Sequence, residues 1–239
     1  MIETNESVKN LSFWTQMFKS WAKPMLPLLN SKYFNDLLEM LEESYDCFDE
    51  NPTLYPQFFP KQKDIFKAFT SCPYDDLKVV ILGQDPYSDG EATGIAFANS
   101  FGSRSMTYSP ELNYIFENVY NNNANASVTP ELTNWAEQGI LLLNSALTVK
   151  AGTPMSHFTT WNKFTIELFK VLSKEKSDII YCLWGSVAQS FKPFIDLDNN
   201  VILECEHPSD AIKDNRSWKC NHFLVIDALF ERKSKSINW

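Results

Sequence analysis

The stretch 78–97, KVVILGQDPYSDGEATGIAF, passes from a run suited to a buried strand straight into an amide, a carboxylate, a proline and a tyrosine. From Val79 to Leu82 it is apolar without alternation. A strand with no polar face is covered on both sides, which implies a parallel sheet with helices crossing over it. Three further runs repeat the pattern: Gly139-Ile-Leu-Leu-Leu143, Asp178-Ile-Ile-Tyr-Cys-Leu183, and Val201-Ile-Leu203 with Cys205 after it. Helical spacing of apolar residues is found at 11–19, 33–44, 110–120, 161–172 and 223–233, around and between these runs. The expected architecture is α/β, a single domain over 1–239 with a central, largely parallel four-stranded sheet flanked by helices. Segments 100–109 and 121–127 read as surface loops.

Each predicted strand runs into a polar residue: Asp85 after the first, Asn144 after the second, Gly185-Ser186 after the third and His207 after the fourth. Open α/β sheets bind ligands at the carboxyl ends of their strands. Any one of these residues would pass for a loop cap, but four at one sheet edge point to a site. A carboxylate can orient water or stabilise a developing cation, and an imidazole can stabilise a leaving anion. No Ser or Cys stands as an obvious nucleophile. Tyr87 and Phe97 flank the carboxylate and could sandwich a flat heterocycle whose edge the Asn144 amide reads. By spacing alone, Phe97 in the apolar run 94–98 fits plain core better. The residues by themselves lead as far as hydrolysis of a compound carrying a planar base.

Composition narrows the classes further. With 44% hydrophobic residues in 239, the chain can build a sizeable core and is not a disordered segment. A formal net charge of -9 argues against coating nucleic acid by bulk electrostatics, while leaving room for a local groove. The acid is concentrated in 36–50, and basic residues gather in the last 29 positions, from Lys213 to Lys235. Either run reads first as a solvated face. MIETNESVKN has no basic segment followed by an apolar one, and no stretch approaches bilayer-spanning length, so a soluble, cytoplasmic protein is expected. Five scattered cysteines without a C-x-x-C pair read as reduced thiols. Cys205-Glu206-His207 and Cys220-Asn221-His222 are two C-x-H units that could supply four zinc ligands, but their spacing is not that of a common zinc module.

The chain resembles the family 1 uracil-DNA glycosylases nearly end to end. The resemblance is carried by Leu54-Tyr-Pro, PKQKDIFKAF (60–69), KVVILGQDPY (78–87), WAEQGILLLNSALTV (135–149), SHFTTW (156–161), LWGSVAQ (183–189), HPS (207–209) and the terminal INW. GQDPY, LLLN and HPS in this order also set the chain apart from the mismatch-specific branch, which has asparagine where Asp85 stands. The resemblance implies that Gln84 and Asp85 belong to the water-positioning loop. Asp85 would orient the attacking water and stabilise the cationic sugar. Tyr87 would clash with a thymine methyl. Phe97 would stack on uracil, Asn144 would bond its edge, and a neutral His207 would donate to the uracil oxygen. Gly185-Ser186 and Pro208-Ser209 would pinch DNA phosphates while the nucleotide is flipped out.

No metal or organic cofactor is implied. The implied reaction is hydrolysis of deoxyuridine's N-glycosidic bond in DNA, leaving an abasic site. Expected partners are uracil-containing DNA, single- or double-stranded, and a DNA-mimicking inhibitor protein. A monomer is expected, nuclear instead of cytoplasmic if the source is eukaryotic or viral. The alternative is a catalytically weak DNA-binding or replication-accessory protein on the same fold. The departures from the family pattern bear on DNA. Ser88 replaces the usual histidine, and the proline-rich phosphate loop survives only around Tyr108-Ser109-Pro110. Asp210-Ala211-Ile212 replaces Pro-Leu-Ser, which puts Ala211 where the leucine wedge stands and Asn215 where an arginine is customary. Either Ile212 supplies the wedge or the enzyme depends less on it, and a weakened wedge favours single-stranded DNA.

Overall fold

The computed structural model describes residues 11–54, 57–99, 108–122 and 129–239. Positions 100–107 and 123–128, which hold most of the two expected loops, lie outside the described residues, as do Tyr55 and Pro56 of the Leu54-Tyr-Pro motif. The four apolar runs form one wholly parallel sheet: β2 (Val79–Gly83), β3 (Ile140–Asn144), β5 (Ile180–Trp184) and β6 (Val201–Cys205), in the order β3-β2-β5-β6. Two short strands, β1 (Phe58–Phe59) and β4 (Val149–Lys150), pair antiparallel beside it. Both were below the length that periodicity can detect.

β2 and β5 are buried at every position, as their unbroken apolarity requires. Side chains alternate between two cores. Val80, Leu82, Leu141, Leu143, Tyr181 and Leu183 face one side. That side is covered by α1 (Leu11–Phe18), α2 (Ala22–Leu29), α3 (Lys32–Glu50), α4 (Lys67–Ser71) and α7 (Phe158–Glu175). Val79, Ile81, Ile140, Leu142, Ile180, Cys182 and Trp184 face the other, under α5 (Pro110–Asn122), Trp135 of α6 (Thr133–Glu137) and α10 (His222–Glu231). Two short helices follow strand ends, α8 (Gly185–Gln189) after β5 and α9 (Pro208–Lys213) after β6.

The helices follow local rules. Ser31 caps α3 by accepting the Phe34 N–H at 3.2 Å, and the helix then buries Phe34, Leu37, Leu41 and Tyr45 at turn spacing. Its carboxylates at 36, 39, 42, 43, 46, 49 and 50 are all exposed, so the acidic segment is the solvated face of an amphipathic helix. In α7, Trp161, Phe164, Thr165, Leu168, Phe169 and Leu172 are buried. The C-terminal Trp239 is buried too, its indole N–H donating to Asp227 at 2.7 Å. No helix among the described residues is long and apolar enough to cross a membrane.

Candidate active site

From β2 the chain moves outward to β3 and then returns across β2 to β5, so the carboxyl end of β2 lies where the winding reverses. Such a point leaves a crevice beyond the strand ends. A cavity of about 540 Å³ opens there, lined by Gln84, Asp85, Tyr87, Phe97, Asn144 and His207 among others. The residues expected to read a base and cleave its bond thus come from β2, β3, β6 and the connecting segment 84–97, and meet at one place.

The loop after β2 is fixed by the start of the loop after β3. Ser145 N–H donates to the Gly83 carbonyl at 3.1 Å, Ala146 N–H to the Gln84 carbonyl at 3.1 Å, and the Ser145 hydroxyl to the same Gln84 carbonyl at 2.6 Å. The Asp85 carboxylate receives one N–H from the Gln84 amide at 3.0 Å and another from the Met155 backbone at 2.6 Å. Two donors aim the carboxylate and leave lone pairs for a water. Met155 has a φ of 64°, in the left-handed region where a side chain is strained. Sequence reasoning did not find this partner, because a backbone donor carries no side-chain signature.

Phe97 is also strained, with φ 65°. It is only 7% exposed, yet it lines the cavity, with Trp184 at 5.1 Å behind it and the His207 ring at 5.8 Å. It therefore belongs to the core and to the site at once. Gly83 lets it sit there: a Cβ on Gly83 would lie 2.7 Å from Asn144 Oδ1 and 2.9 Å from Phe97 Cζ. The Tyr87 hydroxyl contacts Ser109 Oγ at 2.6 Å and donates to the Phe97 carbonyl at 3.3 Å, which locks the phenol beside the ring. Burial holds its pKa well above the ordinary phenol value.

His207 stands one residue before α9 and caps it. Its Nδ1 accepts the Ser209 backbone N–H at 3.2 Å and lies 2.7 Å from Ser209 Oγ. In the neutral ring the proton is therefore on Nε2, free to donate toward the cavity. Burial pushes the His207 pKa down to about 4, so the ring is neutral at physiological pH. Gly185, at φ +88°, makes room behind it, since a Cβ there would lie 2.8 Å from the His207 Cβ.

The expected DNA contacts divide. Ser88, Ser109 and Ser209 line the cavity, whereas Ser186 is exposed and lies outside the lining. Gly185, Pro208 and Ile212 lie outside the lining, with Gly185 and Pro208 buried and Ile212 half-buried. Ala211 departs from the sequence reading: it falls on the inner face of α9 and is fully buried in the core under α5 and α10, with no surface to offer DNA in this structure. Lys213, Asp89, Glu91 and Glu111 also line the cavity and were not anticipated. Burial raises the Glu111 pKa. The two C-x-H units separate: His207 turns into the cavity, while Cys205, Cys220 and His222 gather with their ligand atoms within 4.8 Å of one another.

This arrangement has known counterparts. Residues 69–229 match the model of the uracil DNA glycosylase superfamily. A Bacteroides fragilis protein, uracil-DNA glycosylase 2, is 36% identical over 228 residues, 94% of this chain and 99% of its own. The Borrelia turicatae uracil-DNA glycosylase is 37% identical over 226 residues, 92% of this chain and 97% of its own. Among solved structures, mimivirus uracil-DNA glycosylase superposes with a TM-score of 0.79 at 24% identity, covering 97% of this chain and 90% of that one. A variant of the same viral enzyme, solved in complex with UGI, gives 0.80. The fold and the site define a hydrolase of N-glycosyl bonds, a glycosylase of DNA repair. The chain belongs to the uracil DNA glycosylase superfamily.

Proposed function

We propose that this enzyme is a family 1 uracil-DNA glycosylase that takes deoxyuridine out of the DNA stack, hydrolyses its N-glycosidic bond, and leaves free uracil and an abasic site. The observation that carries the reading is the convergence of Asp85, Tyr87, Phe97, Asn144 and His207 on one cavity of about 540 Å³. Uracil would enter against the Phe97 ring, and the Asn144 amide would pair with its edge through one donor and one acceptor. Tyr87, held by Ser109 and the Phe97 carbonyl, would occupy the space a thymine methyl needs.

As the C1′–N1 bond lengthens, negative charge moves onto the uracil ring and positive charge onto the sugar. The neutral His207, with its proton on Nε2, would donate a hydrogen bond to the uracil oxygen. The Asp85 carboxylate would stabilise the sugar cation and take up the proton of the water that adds to C1′. The hydroxyls of Ser88, Ser109, Ser186 and Ser209 and the backbone at Gly185 and Pro208 would hold phosphates as the base is extruded. Burial of Ala211 leaves Ile212 to fill the vacated stack. A DNA-mimicking inhibitor protein is a fitting partner, since it would cover the same cavity mouth.

The test is uracil release from a single-stranded oligonucleotide by wild type and Asp85→Asn, with thymine and cytosine substrates alongside. Release of uracil alone, slowed by about 10²–10⁴-fold in Asp85→Asn, is expected of a carboxylate that handles the water. A folded wild-type protein that binds DNA without releasing uracil would support the accessory reading.

A further inference from the structure

The side of the sheet that carries Phe97 holds a second chemical cluster, between the end of β6 and the start of α10. The thiol of Cys205 donates to the sulfur of Cys220 across 3.3 Å. The imidazole and the backbone N–H of His222 also bond the Cys220 sulfur. The Trp184 indole N–H donates to Nδ1 of His222 at 2.9 Å. Cys205 is half-buried, Cys220 is 7% exposed and His222 is 3% exposed.

The indole contact decides between two uses of such a cluster. A histidine that binds a metal needs a bare nitrogen for the ion and commonly donates its other ring N–H to an acceptor. Here the Nδ1 lone pair is taken by the indole, which places the ring proton on Nε2. Neither nitrogen offers a lone pair to an ion. Hydrogen-bond donors around Cys220 instead favour its thiolate, and they lower its pKa from the ordinary thiol value, the Cys205 S–H first. Cys182, fully buried on the same face, has its pKa raised by burial and stays a thiol.

We propose that Cys205 and Cys220 form an oxidation site, at which a peroxide converts the two thiols to an intramolecular disulfide. The Cys220 thiolate attacks one peroxide oxygen, the O–O bond breaks and hydroxide leaves, giving a sulfenic acid at Cys220. The Cys205 sulfur then attacks the Cys220 sulfur. The S–O bond breaks, the hydroxyl departs as water with the Cys205 proton, and the S–S bond forms. Two thiols are oxidised, and one peroxide is reduced to two waters. Reaching a bond length of about 2.05 Å requires the sulfurs to approach by roughly 1.3 Å, which side-chain rotation and a small shift of the β6 end can share. The proposal concerns thiol chemistry and does not rest on the reading of the active site.

The experiment uses the reduced, folded full chain. Its zinc content is measured first, hydrogen peroxide is added at a few equivalents, and remaining thiols are alkylated before intact-mass and non-reduced peptide analysis. The expected result is loss of two of the five alkylatable thiols, recovery of both on reduction, and one cross-linked peptide joining Cys205 to Cys220. In Cys205→Ser, Cys220 is expected to stop at a sulfenic acid that a dimedone probe captures. Five free thiols in the peroxide-treated wild type, or a cross-link to another cysteine, would overturn the proposal. So would stoichiometric zinc in the purified protein that is lost in Cys220→Ser. The wild-type measurement decides the matter even if a variant fails to fold.

Discussion

Gly83→Ala is the sharpest probe of how the site is built, because it adds one methyl at a position that touches no water-handling group. Gly83 ends β2 with a negative φ, so alanine suits its backbone. The new Cβ would stand 2.7 Å from Asn144 Oδ1 and 2.9 Å from Phe97 Cζ, where ordinary contact begins near 3.4 Å. The amide must retreat by about 0.7 Å and the ring by about 0.5 Å. Phe97 has Trp184 at 5.1 Å behind it, so the ring has little room to yield. Displacements approaching 1 Å in groups that position a substrate cost up to about 10²-fold in rate, while one extra core methyl costs roughly 1–3 kcal/mol of stability. The expected outcome is a 10- to 100-fold fall in single-turnover uracil release in a protein that still melts cooperatively, with Asp85 and His207 untouched. A single-turnover rate within twofold of wild type would refute the claim that Asn144 and Phe97 are held in register by the missing side chain.

Three other outcomes follow from the same geometry. His207 has a pKa of about 4, against an ordinary value of 6.5. As pH falls from 7 to 4 the unfolded chain takes up a proton that the folded chain refuses, so stability is lost. The upper bound is about 3 kcal/mol. His207→Asn keeps a capping side chain without the titration; urea unfolding should show its stability gaining on wild type across that window, and parallel pH curves would contradict the shift. With Ala211 buried, uracil should leave single-stranded DNA faster than duplex, and Ile212→Ala should slow duplex excision more than single-strand excision. Equal or faster duplex turnover by wild type would sink this. Lys213 lines the cavity mouth, so Lys213→Ala should weaken DNA binding about equally for all sequences and reduce the salt slope by about 1, as measured by titration at several ionic strengths; an unchanged slope would remove Lys213 from the interface.

The sheet was readable because four unbroken apolar runs have few other uses, and their polar ends then placed Asp85, Asn144 and His207 together. What stayed hidden has physical causes. α2 carries Pro27 inside it and reads as a break, although the helix forms. α4, α6, α8 and α9 are five or six residues long, too short for a periodic pattern to accumulate. Phe97 looked like core because it is core, and neither its left-handed φ nor its place in the cavity lining shows in the spacing of apolar residues. Spacing paired Cys205 with His207, whereas the capping of α9 turns His207 away and brings Cys205 to Cys220, fifteen positions along the chain. Local sequence cannot report a contact made between the end of β6 and the approach to α10.

Charge completes the picture of how DNA must be held. Part of the basic C-terminal run is engaged in ion pairs: Arg216 grips Glu206 with both terminal nitrogens and reaches Asp214, Lys213 meets Asp210 at 3.3 Å, and Lys233 meets Asp178 at 2.8 Å. Among the described residues that line the cavity, Lys213 is outnumbered by Asp89, Glu91 and Glu111, so a phosphate beside them meets more acid than base. Among the described residues that line the cavity, counterion release, which usually supplies most non-specific affinity, has Lys213 alone to draw on. On the proposed reading, binding energy would come largely from the base within the cavity and from neutral donors, the serine hydroxyls and backbone N–H groups, around the phosphates. On the proposed reading, the fit between uracil and the Phe97–Asn144–Tyr87 pocket would then serve both to bind and to discriminate.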